Sequence, residues 1–216
     1  MLLTPPGVYR PQSDSEMLAR AVAVSGRARG AVLDLGTGTG TVALAAARCG
    51  AGAVTAVDLS HRAVAAARLN GRLHRAPLTV HRGDLFGPVR GRRFALVTAN
   101  PPYVPSRTDR PARYRRARSW DGGRDGRVVI DRICDGVADH LEPGGALLMV
   151  HSAVSGVEAS LERLAAAGLT ARVADRTRIP LGPVMRARAA LHEARGLVQP
   201  GAVDEQLVVI EALRAV

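Results

Sequence analysis

Short apolar runs alternate along the chain with longer stretches whose apolar positions recur every three or four residues. A continuous apolar run bounded by turn residues fits a strand buried on both faces, and the longer period fits a helix that covers it. Strands are predicted on this basis at 31–35, 53–58, 78–82, 94–99, 146–150, 169–175 and 206–213. Helices are predicted at 13–25, 41–49, 60–75, 127–140, 155–167 and 184–195. Ser60 is the expected cap of the helix at 60–75, and Ser13, Asp14 or Ser15 that of the first. EPGG at 142–145 reads as a turn. The repeated order strand, turn, helix implies an α/β fold, with a mostly parallel seven-stranded sheet and helices on both faces. No internal repeat or linker is visible, and 216 residues suit one domain spanning 1–216.

Composition refines this picture. Hydrophobic residues make up 47% but aromatic ones 3%, so the core must be built from Ala, Val and Leu. No apolar run approaches the roughly 20 residues that cross a bilayer, and the first residues lack the layout of a signal peptide, so a cytoplasmic protein without membrane contact is expected. Cys49 and Cys134 have neither metal-ligand nor redox spacing and read as small buried or half-buried thiols. The six histidines show no ligand spacing either; His151, after the fifth strand, reads as structural, and no metal is expected. The net charge is +11, yet every basic residue is Arg, which points to a GC-rich coding bias as much as to an anionic partner.

Candidate chemistry gathers at strand ends. Gly36, Gly38 and Gly40 follow the first strand, where a chain without Cβ atoms turns sharply and brings bare backbone to a ligand. Dinucleotide-binding enzymes use a similar turn, but G-x-G-x-G is not their G-x-G-x-x-G, and Asp34 just before it suits a cationic ligand end. Asp58 ends the second strand, where a carboxylate can accept from ribose hydroxyls, and Asp84 follows the third, where it can accept from an adenine amino group. Each acid alone could be a helix cap; together they converge on the crevice where such sheets bind ligands. Asn100-Pro101-Pro102-Tyr103 follows the fourth strand, and the chain holds two Asn in all. The Asn100 oxygen and Pro101 carbonyl can accept both N–H bonds of a planar nitrogen, turning its lone pair toward a methyl donor. Tyr103 can stack on the flat group and the prolines stiffen the turn. Catalysis of that kind is alignment plus stabilisation of charge developing on nitrogen, with no strong base.

The order DLGTGTG, VDLS, GDLF, NPPYV resembles the class I methyltransferases, which share a Rossmann-like fold. Within them it is most similar to the HemK/PrmC group of protein-glutamine N5-methyltransferases, which modify peptide-chain release factors. VYRPQSDSEML (8–18), WDGGRDGRVVIDRI (120–133) and LEPGGALLMVHS (141–152) resemble the short branch of that group, which lacks an additional N-terminal helical domain. The resemblance implies S-adenosyl-L-methionine as cofactor. Asp34 and Gly36 would contact its methionine part, Asp58 its ribose, and Asp84 and Leu85 its adenine, with Gly38 and Leu59 also among the cofactor-binding residues. Segment 1–28 would close over the cofactor through Ser15, and loop 101–126 would receive substrate. Asn100 through Tyr103 would bind the target amide, with Asn100 also beside the cofactor. Asp34 stands where the family often has Glu, and Ser15 where it often has Thr; both keep the chemistry.

NPPY is shared with adenine-N6 and guanine-N2 methyltransferases, so a nucleic-acid base is the second acceptor class. A small molecule or peptide natural product is the third. The loop after NPPY carries six Arg between 107 and 118 with Tyr114 among them, which is either a basic lip for RNA, DNA or an acidic protein or a solvated, mobile loop reflecting coding bias. Some members of the short branch work with a small activating partner protein, and the resemblance extends that expectation here.

Overall fold

A computed structural model describes residues 2–109 and 119–216. Most of the Arg-rich stretch, including Tyr114, lies outside the described residues. Seven strands form one sheet: β1 (Ala31–Leu35), β2 (Ala53–Asp58), β3 (Leu78–Arg82), β4 (Phe94–Ala99), β5 (Leu141–Ser152), β6 (Leu169–Pro180) and β7 (Asp204–Arg214). Their order is β3-β2-β1-β4-β5-β7-β6. All neighbours from β3 to β5 are parallel, and β7 runs antiparallel between β5 and β6. The mostly parallel seven-stranded α/β sheet expected from the apolar runs is therefore present, and its topology is that of the class I methyltransferase fold.

Successive residues of a strand point to opposite faces, and here they feed two separate cores. Val32, Leu96 and Leu148 pack under α1 (Ser13–Ser25), α2 (Thr41–Arg48) and α3 (His61–Leu73) through Met17, Leu18, Ala43, Ala46 and Ala67. Their neighbours Leu33, Val97, Leu147 and Met149 pack under α4 (Val128–Gly136) and α5 (Val157–Ala166) through Ile130, Ile133 and Leu164. Small side chains on α2 and α3 suit a core with few rings, since they let helices approach the sheet closely. Asn70, buried on α3, accepts from the Leu3 N–H and donates to the Leu3 and Thr39 carbonyls, tying the N-terminal segment to the glycine turn.

Several boundaries differ from the sequence reading. The expected turn at 142–145 lies inside β5: Phe94 faces Leu141 and Leu96 faces Ala146, so the intervening residues bulge, with Gly144 at φ +73°. β6 and β7 run further than the apolar pattern suggests, pairing from Leu169–Arg214 to Pro180–Asp204 with one register shift between Val173 and Asp175. Backbone hydrogen bonds, not apolar side chains, carry the polar stretch beyond 175. The helix expected at 184–195 is two short ones, α6 (Pro183–Ala187) and α7 (Ala189–Ala194), broken at Arg188, whose ψ of 7° departs from helical values. Cys134 is buried, its thiol pushed up to about 12 by burial. Cys49, the C-cap of α2, is exposed, not buried or half-buried as expected, since it stands at the end of the helix and not on its packed face.

His151 and Arg127 join α4, β5 and α5 on the second face. The His151 Nε2 lies 3.1 Å from Ser160 Oγ and its Nδ1 2.8 Å from the Ser152 carbonyl, and burial holds the ring's pKa down at about 4. The mostly buried Arg127 guanidinium donates to the Ser155 and Gly156 carbonyls at 2.6 and 2.8 Å and to Asp131 at 2.7 Å. Replacing Arg127 by Met leaves those acceptors without their donor, and a loss of about 3 kcal/mol is expected. Arg178→Met, at an exposed ion pair of 3.8 Å, should change stability by under about 1 kcal/mol. Urea unfolding of both variants checks this, and equal losses would refute the role given to Arg127.

Candidate active site

In open α/β sheets, ligands bind beyond the carboxyl ends of the strands where the strand order reverses. Here that place is between β1 and β4, since β2 and β3 lie to one side and β5 to the other. The turn after β1 has Gly36, Gly38 and Gly40 at φ +67°, +55° and +86°, a region other residues rarely occupy. The Thr37 N–H donates to the Val57 carbonyl and the Gly38 N–H to Asp58 Oδ2 at 2.9 Å, so the turn is fastened to the end of β2. Asp58 Oδ1 accepts from the Ser60 N–H at 2.8 Å. Ser60 caps α3 as expected, accepting from the Ala63 N–H. With one backbone donor on each oxygen, the Asp58 carboxylate is oriented and keeps lone pairs for ligand hydroxyls. Burial nonetheless raises its pKa against those two hydrogen bonds.

Asp34 is more deeply placed. Its Oδ2 accepts from Thr37 Oγ1 at 2.6 Å and its Oδ1 from Thr98 Oγ1 at 2.7 Å. Burial pushes its carboxyl up to about 6, against the pull of the two hydroxyls and the Ala43 N–H. The third acid differs: Asp84 is exposed and paired with Arg132 of α4 at 2.7 Å. That partner was not visible in the sequence, where the two lie far apart. Leu85 beside it has φ +45°, which turns the chain after β3 back toward the sheet edge. Asp34, Asp58, Asp84, the glycine turn, Leu59, Leu85, Ser15 and Asn100 through Tyr103 line one cavity of about 630 Å³. These candidates thus reach the same space, while Gly40 lies behind the turn and is not among the lining residues.

The N-terminal segment contributes more than the sequence suggested. The N-cap of α1 is Gln12, without a side-chain cap bond, so none of Ser13, Asp14 and Ser15 is the cap. Asp14 and Ser15 sit instead in the first helical turn and point inward, both buried. Backbone N–H groups at a helix start favour an anion there. Asp14 Oδ1 accepts from the Ser15 N–H and Oγ, and Oδ2 accepts from the Tyr9 and Tyr103 hydroxyls at 2.9 and 3.3 Å. Burial and then this carboxylate raise both phenol pKa values, so neither tyrosine ionises in the ordinary range. Asn100 Nδ2 donates to Ser15 Oγ at 3.2 Å. Since Ser15 Oγ gives its proton to Asp14, it can only accept from Asn100, which fixes the amide orientation and leaves the Asn100 oxygen as the acceptor. Asp14 and Tyr9 were not named as site residues; the only signal was the acid in SDSE beside Ser15.

The end of the loop after NPPY folds back on the turn. The Val104 N–H donates to the Trp120 carbonyl at 2.7 Å, the Gly122 N–H to the Val104 carbonyl at 2.9 Å, and Ser155 Oγ to the Tyr103 carbonyl at 2.9 Å. Glycines make this approach feasible: a Cβ on Gly126 would lie 2.3 Å from the Tyr103 carbonyl oxygen, and one on Gly122 2.7 Å from that of Pro102. Among the described residues no group of three or more His, Cys, Asp or Glu is placed to hold a metal ion, and no helix is long and apolar enough to cross a membrane.

Known proteins resemble the chain in sequence and in fold. Residues 1–115 match the family model of the methyltransferase small domain. A protein of Methanocaldococcus jannaschii, provisionally named a protein N5-glutamine methyltransferase, is 31% identical over 181 residues, covering 83% of this chain and 90% of its own length. The release factor glutamine methyltransferase of Geobacter sulfurreducens is 34% identical over 151 residues; the match covers 67% of this chain and 53% of that longer protein. Among solved structures, Mtq2 of E. cuniculi, in complex with Trm112 and described as methylating the termination factor eRF1, superposes with a TM-score of 0.68 at 24% identity, covering 97% and 99% of the two chains.

The packing of the loop end on NPPY makes Gly126→Ala the sharpest local test. Gly126 has φ +81° as well as the close carbonyl, so about 2–4 kcal/mol should be lost from strain and displacement together. Gly87→Ala, with open space around it and no positive φ, should leave stability within about 1 kcal/mol. Thermal or urea unfolding of both decides; a neutral Gly126→Ala would show that the loop does not rest on the turn as described.

Proposed function

This chain belongs to the methyltransferase small domain family and is a class I S-adenosylmethionine-dependent enzyme, and we propose that it methylates the side-chain amide of a glutamine in a protein. The observation that carries the reading is the relay Asn100 Nδ2 to Ser15 Oγ to Asp14, which presents the Asn100 oxygen as a fixed acceptor. A primary amide offers two N–H groups and a lone pair delocalised into its carbonyl. With one N–H held by Asn100 and the other by the Pro101 carbonyl, the nitrogen is drawn toward a tetrahedral shape and its lone pair turns out of the amide plane. Tyr103, anchored by Asp14, would limit the flat amide to that orientation. As the new N–C bond forms, positive charge grows on nitrogen, the two acceptors stabilise it, and one of the held protons passes to water.

The acid set fits the cofactor. Asp58, held by two N–H groups, would take the ribose hydroxyls, and Asp34 would face the methionine ammonium across Gly36. The bound cofactor supplies an electrophilic methyl on a sulfonium, so the protein needs to align and not to activate. Glutamine is favoured over a nucleic-acid base because the M. jannaschii relative, matched over nearly its whole length, is named for that reaction. A release factor is the acceptor we infer within that class, since the G. sulfurreducens relative is named for one. Incubation with methyl-labelled cofactor and host lysate, then separation of protein, RNA and DNA, tests the reading; label in nucleic acid alone would overturn it. Comparing purified chain with chain plus lysate on a recombinant release factor measures any need for an activating partner.

Asp34 gives the cofactor step a pH dependence with a definite sign. Its carboxyl, raised to about 6, must be charged to attract an ammonium, so affinity should hold above pH 7 and fall as pH drops through 6. The limiting slope is about tenfold per pH unit, read by calorimetry between pH 5 and 8. Asp34→Asn should bind weakly with a flat profile, and a wild type that is also flat would remove Asp34 from the ammonium site. In the transfer step, Asn100→Ala should lower kcat about a hundredfold or more with cofactor affinity little changed. Tyr103→Ala should instead raise KM, while Tyr103→Phe keeps most of the stacking and loses the Asp14 anchor. Near-wild-type turnover by a folded Asn100→Ala would end the mechanism.

A further inference from the structure

A second cavity, of about 310 Å³, adjoins the first at its acceptor end. The two share Tyr9, Asp14 and Tyr103, so a side chain in the smaller one lies next to whatever occupies the NPPY turn. Trp120 from the loop lines both as well, and Glu205 near the start of β7 bounds only the smaller one. Glu205 is 7% exposed, and among the described residues its Oε2 has no hydrogen-bond partner. Burial pushes its carboxyl above the usual carboxylate range and the neighbouring Asp14 adds to that, while Ser152 and the Gly182 N–H act the other way. An acceptor oxygen out of water and without a donor is a costly arrangement. Two carboxylates facing one space repel each other, and a cation between them removes both costs. Three aromatic residues on the walls suit the same guest, because rings attract cations and cover the alkyl stem that carries them. Arg10 also borders the cavity but is exposed at its rim.

We propose that this cavity is a specificity subsite for a cationic side chain of the acceptor protein, an arginine or lysine close to the methylated residue, with Asp14 and Glu205 as its anionic partners and Tyr9, Tyr103 and Trp120 as its walls. The assignment rests on NPPY holding the acceptor glutamine, since that is what places the cavity beside the substrate chain. It explains why Asp14 is kept buried at the boundary: one oxygen sets the Asn100 relay through Ser15, and the other, with the two phenols, faces the shared wall.

The test uses nine-residue peptides with a central glutamine and a single arginine placed in turn at each flanking position, each matched by a peptide with neutral, isosteric citrulline. Binding to the enzyme loaded with S-adenosylhomocysteine is read by fluorescence anisotropy, and methyl transfer is read separately. At one position arginine should bind at least tenfold more tightly than citrulline, with the difference in KM and not in kcat. Glu205→Gln, which keeps the side-chain shape, should bring the pair within about twofold of each other, and Glu205→Asp should keep part of the preference. Melting temperature and cofactor affinity of both variants establish that they are folded. Absence of an arginine preference at every position overturns the subsite, as does a preference that survives Glu205→Gln. If glutamine is not the acceptor, label fails to reach these peptides while the binding preference persists and still supports the subsite. Transfer that proceeds equally well to arginine and citrulline peptides supports glutamine and rejects the subsite.

Discussion

A carboxylate removed from water at the end of a central strand needs hydrogen bonds from whatever lies next to it, and Asp34 takes them from both sides of the point where the sheet reverses. Thr37 belongs to the glycine turn and Thr98 to β4, so one side chain joins the turn to the strand that delivers Asn100. Thr98 and Asn100 are two positions apart, which places them on the same side as the chain leaves β4. Positioning one therefore positions the other. Asp58 repeats the device one strand away, holding Gly38 and the start of α3 with its two oxygens. Both acids are fixed by the fold before any ligand arrives, and that rigidity is what an alignment mechanism requires.

Sequence reading succeeded where the signal is local and periodic. The central strands are apolar runs because both faces are covered, so their positions could be read almost to the residue. It failed where the cause is a contact between distant residues. Asp14 gains its role from Tyr103, 89 positions away, and nothing within SDSE distinguishes an acid that caps a helix from one that turns inward. Ser15 was found only through family resemblance, and its chemical meaning, a hydroxyl that orients an amide, needed coordinates. Asp84 was grouped with Asp34 and Asp58 by its place after a strand, yet exposure and Arg132 set it apart. The extra length of β6 and β7 was hidden because an antiparallel pair is held by backbone groups whatever its side chains.

Net charge was the least informative signal. The chain carries +11, but the cavity holds Asp14, Asp34 and Asp58 in its walls and has arginines such as Arg62 and Arg82 exposed at its border. A methyl donor of this kind is a cation, and the transition state carries that charge on toward the acceptor. At the proposed site, buried acids would meet it at short range in a low dielectric, whereas surface arginines would be separated from it and screened by solvent. The field that matters for the reaction thus has the sign opposite to that of the whole protein.

The same reasoning limits what the NPPY turn can do alone. Its two prolines stiffen the backbone, but the height and tilt of the Asn100 oxygen depend on Ser15, and the depth of Tyr103 depends on Asp14. Behind them, Gly122 and Gly126 let the returning loop press on the Pro102 and Tyr103 carbonyls, and Ser155 fixes the latter from the second face. The geometry of the turn therefore draws on α1, β4, the loop end and the short turn before α5 together. Such a turn transplanted without these supports would keep its residues and lose its geometry. Recognition of the acceptor is then expected in the space those same supports enclose, since the carboxylate at the first turn of α1 borders both the cavity at the NPPY turn and the smaller one beside it.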